Sequence, residues 1–152
     1  MKKIIIINGP NINLIGTRES EIYGKIKIKK YLNKLKKKYY KKNLLIKIYY
    51  INCEGLIIKF LQNIKKQKEN IIGVIINAGA YSHTSLAISD TIKYLITNNI
   101  NIIEVHLSNI YQRENIRHLS LLSKNCTGII VGLGIIVYEV AIISLIKKIC
   151  IL

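Results

Sequence analysis

Tryptophan is absent from this chain, and proline, phenylalanine and methionine occur once each. Arginine is nearly as scarce: Arg18, Arg113 and Arg117 are the only three among 24 basic residues, and only eight residues are acidic. An RNA-binding stripe would combine arginine with exposed aromatic rings, so these shortages weigh against one. The three cysteines, Cys53, Cys126 and Cys150, are odd in number and show no C-x-x-C or metal-ligand spacing. That usage points to a reducing compartment without a disulfide framework, hence to the cytoplasm. Motifs of several enzyme classes are missing as well. There is no G-x-S-x-G elbow, no Walker A loop, no H-E-x-x-H and no G-x-G-x-x-G after the first apolar run, and "GLG" at 132–134 is too short to read as a phosphate loop.

Long hydrophobic runs are also lacking. "MKKIIIINGP" has four apolar residues before polar ones begin, too few for a secretory signal. The run from Gly128 to Ile146 approaches membrane-spanning length, but Glu139 near its middle and Gly132 and Gly134 divide it into a buried strand, a turn and an apolar helix. No membrane partner is expected.

Half of the residues are hydrophobic, which excludes a disordered or fibrous chain. The length, 152 residues, suits a single domain over 1–152 that buries roughly two-thirds of its unfolded surface. The formal charge of +16 admits three explanations: a nucleic-acid footprint, a membrane-facing surface, or lysine used wherever a charged residue suffices. The lysines of 25–47 and 59–68 recur at helical spacing beside Ile and Leu, the pattern of solvated helix faces, which favours the third.

Apolar runs recur at Ile4–Ile7, Leu44–Ile51, Ile71–Ile76, Ile102–Val105 and Gly128–Val131. They are short, rich in Ile and Val and without alternation, as strands covered on both faces would be. Between them lie helical patterns: Ile28, Leu32, Leu35 and Tyr39; then Leu56, Phe60, Leu61 and Ile64; then Leu86, Ile88, Ile92, Leu95 and Ile96. Alternating strands and helices predict an α/β, flavodoxin-like three-layer sandwich around a five-stranded parallel sheet of order 2-1-3-4-5, with right-handed crossovers. Ligands of such sheets bind beyond the carboxyl ends of the strands, near the switch in strand order.

Three polar clusters occupy those ends: "NGPNINLIGTRESEIYG" (8–24) after strand 1, "NAGAYSHTS" (77–85) after strand 3, and "EVHLSNIYQRENIRH" (104–118) at and after strand 4. The order 2-1-3-4-5 makes these strands neighbours and brings Asn11, Arg18, Tyr23, Asn77, His83, Glu104, His106 and Arg117 to one pocket. A phenol titrates near pH ~10 and serves as a base at neutrality only beside a cation; Arg18 could be that cation for Tyr23. Alone, the pair reads more readily as surface packing, with Arg18 on Glu19 or Glu21; the three clusters together shift the reading. Small residues in the second cluster allow backbone to approach a ligand, and Thr84 or Ser85 can cap the following helix. His83 is either a site residue or a capping or surface histidine. Strand alternation puts Glu104 and His106 on the same side, where the carboxylate orients the imidazole as a general acid or simply satisfies a core pair. Ser108 adds donors, and Arg117 a guanidinium that can fork onto hydroxyls or a carboxylate.

Taken in order, "NGPNINLIGTRE", "YG", "INAGAYSHTS", "EVHLSN", "RENIRH" and "GIIVGLG" resemble the motifs of the type II 3-dehydroquinate dehydratases from about Lys3 to Ile146. The resemblance implies a flavodoxin-like lyase without metal or cofactor that dehydrates 3-dehydroquinate to 3-dehydroshikimate through an enolate, on the route to aromatic amino acids. It implies a homododecamer built from trimers. By motif position Tyr23 is the base and Arg18 holds its phenol in the reactive state. His106, oriented by Glu104, protonates the departing hydroxyl, and Asn11 helps hold a water that stabilises the enolate. Asn77, His83 and Arg117 bind hydroxyls or position the ring, and Leu107 and Ser108 bind the carboxylate. Arg113 is supporting, and Asp90 matches a position that reaches the neighbouring subunit's site. The chain departs from the family pattern at Cys53 in "NCEG", at Leu119 and Leu121, and at a usual glycine two before Tyr138, replaced by Ile136 or Val137. These departures bear on packing and turn geometry, not on the proposed chemical groups. A different class of protein with the same composition would be a non-catalytic basic module binding RNA or another polyanion; a nucleotide-binding enzyme would need a phosphate loop after strand 1, which is missing.

Overall fold

In the computed structural model, which describes residues 1–16, 27–66 and 70–151, the five apolar runs become five parallel strands. They are β1 (Lys2–Asn8), β2 (Leu44–Tyr50), β3 (Ile71–Asn77), β4 (Ile102–His106) and β5 (Gly128–Val131). Their order in the sheet is β2-β1-β3-β4-β5, the expected 2-1-3-4-5. Long helices α1 (Ile28–Tyr40), α2 (Glu54–Lys66) and α3 (Leu86–Thr97) connect the first four strands in turn, and α4 (Val137–Ile151) follows β5. A single helical turn, Tyr81–Thr84, precedes α3.

Side-chain parity sorts the core into two layers. Ile4, Ile6, Ile75, Ile103 and Val105 face α1 and α4, whereas Ile5, Ile7, Val74, Ile76 and Ile102 face α2 and α3. Successive strand residues point to opposite faces, so an unbroken Ile/Val run feeds both layers at once. The edges differ from the expectation of burial on both faces: β2 is only partly covered, and Gly128 and Ile129 of β5 are exposed. An edge strand has one neighbour, so one of its long sides is left uncovered.

The α1 stripe is as expected, with Ile28, Leu32, Leu35 and Tyr39 all buried and the intervening lysines in water. In α2 and α3 the stripe is shifted. Ile57, Leu61 and Ile64 are buried while Leu56 is exposed, and Ile88, Ile92 and Leu95 are buried while Leu86 is exposed. Both buried sets are spaced 4 and 3; Leu56 and Leu86 stand one and two residues ahead of them, rotated by about 100° and 200° off the covered face. Asn43, Asn70 and Asn99 adopt left-handed backbone just ahead of β2, β3 and β4, replacing the glycine that often ends a helix. The run 128–146 is the strand, turn and helix expected, and among the described residues no helix is long and apolar enough to cross a membrane.

Candidate active site

The carboxyl ends of β1, β3 and β4 meet at a cleft lined by Ile12, Ile15, Asn77, Gly79, His83, His106, Leu107, Ser108, Ile110, Arg113 and Arg117. The loops after β1 and β3 lie against each other backbone to backbone. A Cβ on Gly9 would stand 2.5 Å from the Ala78 carbonyl oxygen, and one on Gly79, at φ +59°, 2.9 Å from that of Pro10. Small residues in "NAGAYSHTS" thus first serve the contact between loops.

Asn77 ends β3 beside Asn8, which ends β1, and both face α4. There the wholly buried Tyr138 hydroxyl donates to Asn8 Oδ1 at 2.6 Å and accepts from Asn77 Nδ2 at 3.1 Å. Burial, above all, raises the Tyr138 phenol's pKa, so it is a neutral hydroxyl with one proton to donate. Asn77 is therefore fixed from behind, its Oδ1 3.4 Å from the Gly79 N–H.

On the neighbouring strand β4, parity brings Glu104 and His106 to one side, the face opposite that of Asn77. His106 Nε2 lies 2.8 Å from Glu104 Oε1, and Glu104 is wholly buried. A carboxylate accepts, so Nε2 carries the proton and Nδ1 is the ring nitrogen left for the cleft. Ser120 Oγ donates to the same Oε1 at 2.7 Å. Across the cleft the His83 and His106 ring centroids are 5.9 Å apart. His83 Nδ1 donates to the Leu119 carbonyl at 2.8 Å, which fixes its tautomer and leaves Nε2 as an acceptor. His118 Nε2 likewise donates to the Arg113 carbonyl at 2.7 Å. Glu114 stands 3.1 Å from Arg117 Nε and 3.7 Å from Arg113 Nε. A hydrogen bond to its own backbone, and then the two guanidiniums, hold the Glu114 carboxyl below the usual carboxylate range. Ser85, not Thr84, caps α3 by accepting from the Ile88 N–H at 2.9 Å.

Of the expected site residues, Asn77, His83, His106, Leu107, Ser108, Arg113 and Arg117 line one cleft, with Glu104 directly beneath. Asn11 is exposed in left-handed backbone (φ 66°), in the loop whose Ile12 and Ile15 line the cleft. Asp90 is exposed on α3 and is not among the residues that line the cleft. Arg18 and Tyr23 lie outside the described residues. Sequence reasoning missed Asn8, Tyr138 and Ser120. Asn8 had a legible signal, because it shares parity with Ile4 and Ile6 and pairs in register with Asn77; the other two are joined to the site only by contacts between distant segments. Among the described residues no three His, Cys, Asp or Glu side chains form a group able to hold a metal ion.

The departures noted above fall where backbone does the work. Leu119 offers its carbonyl to His83, and Leu121 its N–H to the Ser82 carbonyl and its carbonyl to Ser89 Oγ. Neither Ile136 nor Val137 has positive φ, so glycine is not demanded there.

Fold and cleft together define a flavodoxin-like α/β protein with a cleft, backed by a buried carboxylate–imidazole pair, at the carboxyl ends of its central strands. Residues 2–146 match the model of the family described as dehydroquinase class II. The chain is 48% identical over 145 residues to a 3-dehydroquinate dehydratase of Caldicellulosiruptor saccharolyticus, covering 95% of this chain and 97% of the relative. It is 42% identical over 150 residues to one of Buchnera aphidicola subsp. Cinara cedri, covering 97% and 95%. A type II dehydroquinase structure from Butyrivibrio crossotus superposes with a TM-score of 0.88 at 40% identity, covering 95% of this chain and 97% of that one. The chain belongs to the class II dehydroquinase family. That membership favours the enzyme over the polyanion-binding module.

Proposed function

We propose that this chain is a hydro-lyase that converts 3-dehydroquinate to 3-dehydroshikimate through an enolate, within the shikimate route to aromatic amino acids. The observation that carries the reading is the buried Glu104–His106 pair opening onto a cleft shared with His83, Asn77 and Arg117.

The chemistry sets three demands, and each has a candidate. A proton next to a ketone is weakly acidic, so a base must take it while donors stabilise the enolate oxygen; Tyr23, held as phenolate by Arg18, is the base, and a water held by Asn11 faces the enolate. Hydroxide is a poor leaving group, so an acid must protonate it: His106 gives up a proton from Nδ1 as the C–O bond breaks, and water departs. Glu104 keeps the Nε2–H in place and stabilises the imidazolium that precedes the transfer. The tyrosine's acquired proton then returns through solvent to His106, which closes the cycle. Asn77, His83 and Arg117 hold the ring hydroxyls, Leu107 and Ser108 receive the carboxylate, and Arg113 supports the loop. Asp90, exposed on α3, completes a neighbouring subunit's site in a dodecamer of trimers. The whole of 1–152 serves as one cytoplasmic catalytic domain, with neither metal nor cofactor taking part.

Mixing the purified chain with 3-dehydroquinate and following the ultraviolet absorbance of the conjugated enone tests the reading. Absorbance should rise in proportion to enzyme, and Tyr23→Phe should lower the rate by about 10³-fold with substrate binding retained, a loss in the range of a removed proton-transfer group. No enone, or a Tyr23→Phe variant as fast as the parent, would refute it.

A further inference from the structure

Ser120 receives no role from the reading above, yet its hydroxyl makes three hydrogen bonds within the described residues. It is buried, and its oxygen accepts from the Leu122 N–H and the Ser123 N–H, each at 3.2 Å. A hydroxyl has two lone pairs and one proton. With both lone pairs facing amides, the proton has one direction left, and Glu104 Oε1 lies along it at 2.7 Å.

The consequence falls on Glu104. Its Oε1 takes both hydrogen bonds, from His106 and from Ser120, while Oε2 is buried without a partner among the described residues. A carboxylate hydrogen-bonded at one oxygen can still rotate about its last bond, and at Oε2 no hydrogen bond from the described residues opposes that rotation. A second donor at Oε1, itself pinned by two backbone amides, opposes it. We propose that Ser120 is a positioning residue of the acid site, holding Glu104 Oε1 on the Nε2–H of His106 so that the proton-bearing imidazole stays aimed into the cleft.

Neighbouring bonds give this serine a rigid mount. In the segment 117–123, the Leu119 carbonyl fixes His83, the Leu121 N–H binds the Ser82 carbonyl, and the Leu121 carbonyl accepts from Ser89 Oγ at 2.6 Å. One stretch of backbone therefore sets His83 through a carbonyl and His106 through Ser120 and Glu104, and carries Arg117 at its start. Side chains at 119 and 121 can change freely on this mount. The hydroxyl at 120 cannot.

The inference rests on His106 acting as the acid, and the test separates the two ideas. Steady-state rates are measured for the parent, Ser120→Ala, Ser120→Thr, Glu104→Gln, the Ser120→Ala/Glu104→Gln double variant and His106→Ala, alongside the imidazole N–H resonances of ¹⁵N-labelled enzyme without substrate. Loss of one hydrogen bond to a charged group should lower kcat of Ser120→Ala about tenfold, with KM within about twofold. Ser120→Thr, which keeps the hydroxyl, should recover most of that. In the Glu104→Gln background Ser120→Ala should add little, because the two act in series. The His106 Nε2–H resonance should be sharp in the parent and Ser120→Thr and broadened in Ser120→Ala. Parent-like kcat and resonance in Ser120→Ala would overturn the proposal. So would equal losses for Ala and Thr that add fully to Glu104→Gln, since that is the mark of packing alone. If His106→Ala kept full activity, the acid assignment would fail whatever the resonance did.

Discussion

Glu104 and Glu139 each draw together side chains from distant parts of the chain, but their access to water is opposite. Glu139, with 22% of its side chain exposed, accepts from Lys38 Nζ at 2.6 Å, from the Tyr39 hydroxyl at 3.3 Å and from the Tyr31 hydroxyl at 3.4 Å, tying α4 to α1. Glu104, with 0% exposed, has only His106 and Ser120 and leaves one oxygen unpartnered among the described residues. Water can replace any partner that Glu139 loses. Nothing replaces those of Glu104, so its burial costs folding free energy that a leucine would not. A glutamate that strengthens the fold sits at the rim; one that weakens it is kept where the imidazole needs it.

The sharpest break of this contrast is Glu104→Ala, which removes the imidazole's orienting partner. It should lower kcat by about 10²-fold or more with a small change in KM, read from the enone absorbance. Next comes Tyr138→Phe, which leaves Asn8 Oδ1 and Asn77 Nδ2 facing each other without their shared hydroxyl. It should cost about 1–3 kcal/mol of stability and weaken substrate binding through Asn77, both measurable by denaturant unfolding and by KM. Glu139→Gln should be mild, with kcat unchanged and a Tm within about 3 °C of the parent. The smallest effect is in acid. The Lys38 hydrogen bond, foremost, depresses the Glu139 carboxyl, so its contribution is present above the ordinary carboxylate pKa and fades as pH falls through the depressed value. Unfolding midpoints of the parent and Glu139→Gln should therefore converge as the pH is lowered through that range; a gap that persists would mean Glu139 acts by shape.

The same contrast marks what was legible in the sequence. Strands, their order and the Glu104–His106 pairing follow from local rules: short Ile/Val runs, alternation, and polar residues collecting at strand ends. The α1 stripe was legible because lysine fills most of the intervening solvent positions, whereas Leu56 and Leu86 sit beside the true stripes of α2 and α3 and carry the same apolar label. Tyr138 and Ser120 were hidden for another reason. Tyr138 lies in an apolar run and reads as core, and its bond to Asn8 spans 130 residues; Ser120 reads as loop polarity until Glu104 is placed beneath it. Long-range polar contacts leave no periodic trace in the chain.

The central claim is that His106, held by Glu104, delivers the proton that lets hydroxide leave as water. Measuring kcat and KM of His106→Ala by enone absorbance tests it most directly. The account predicts a fall in kcat of at least about 10²-fold with KM nearly unchanged; a kcat equal to the parent's would contradict it.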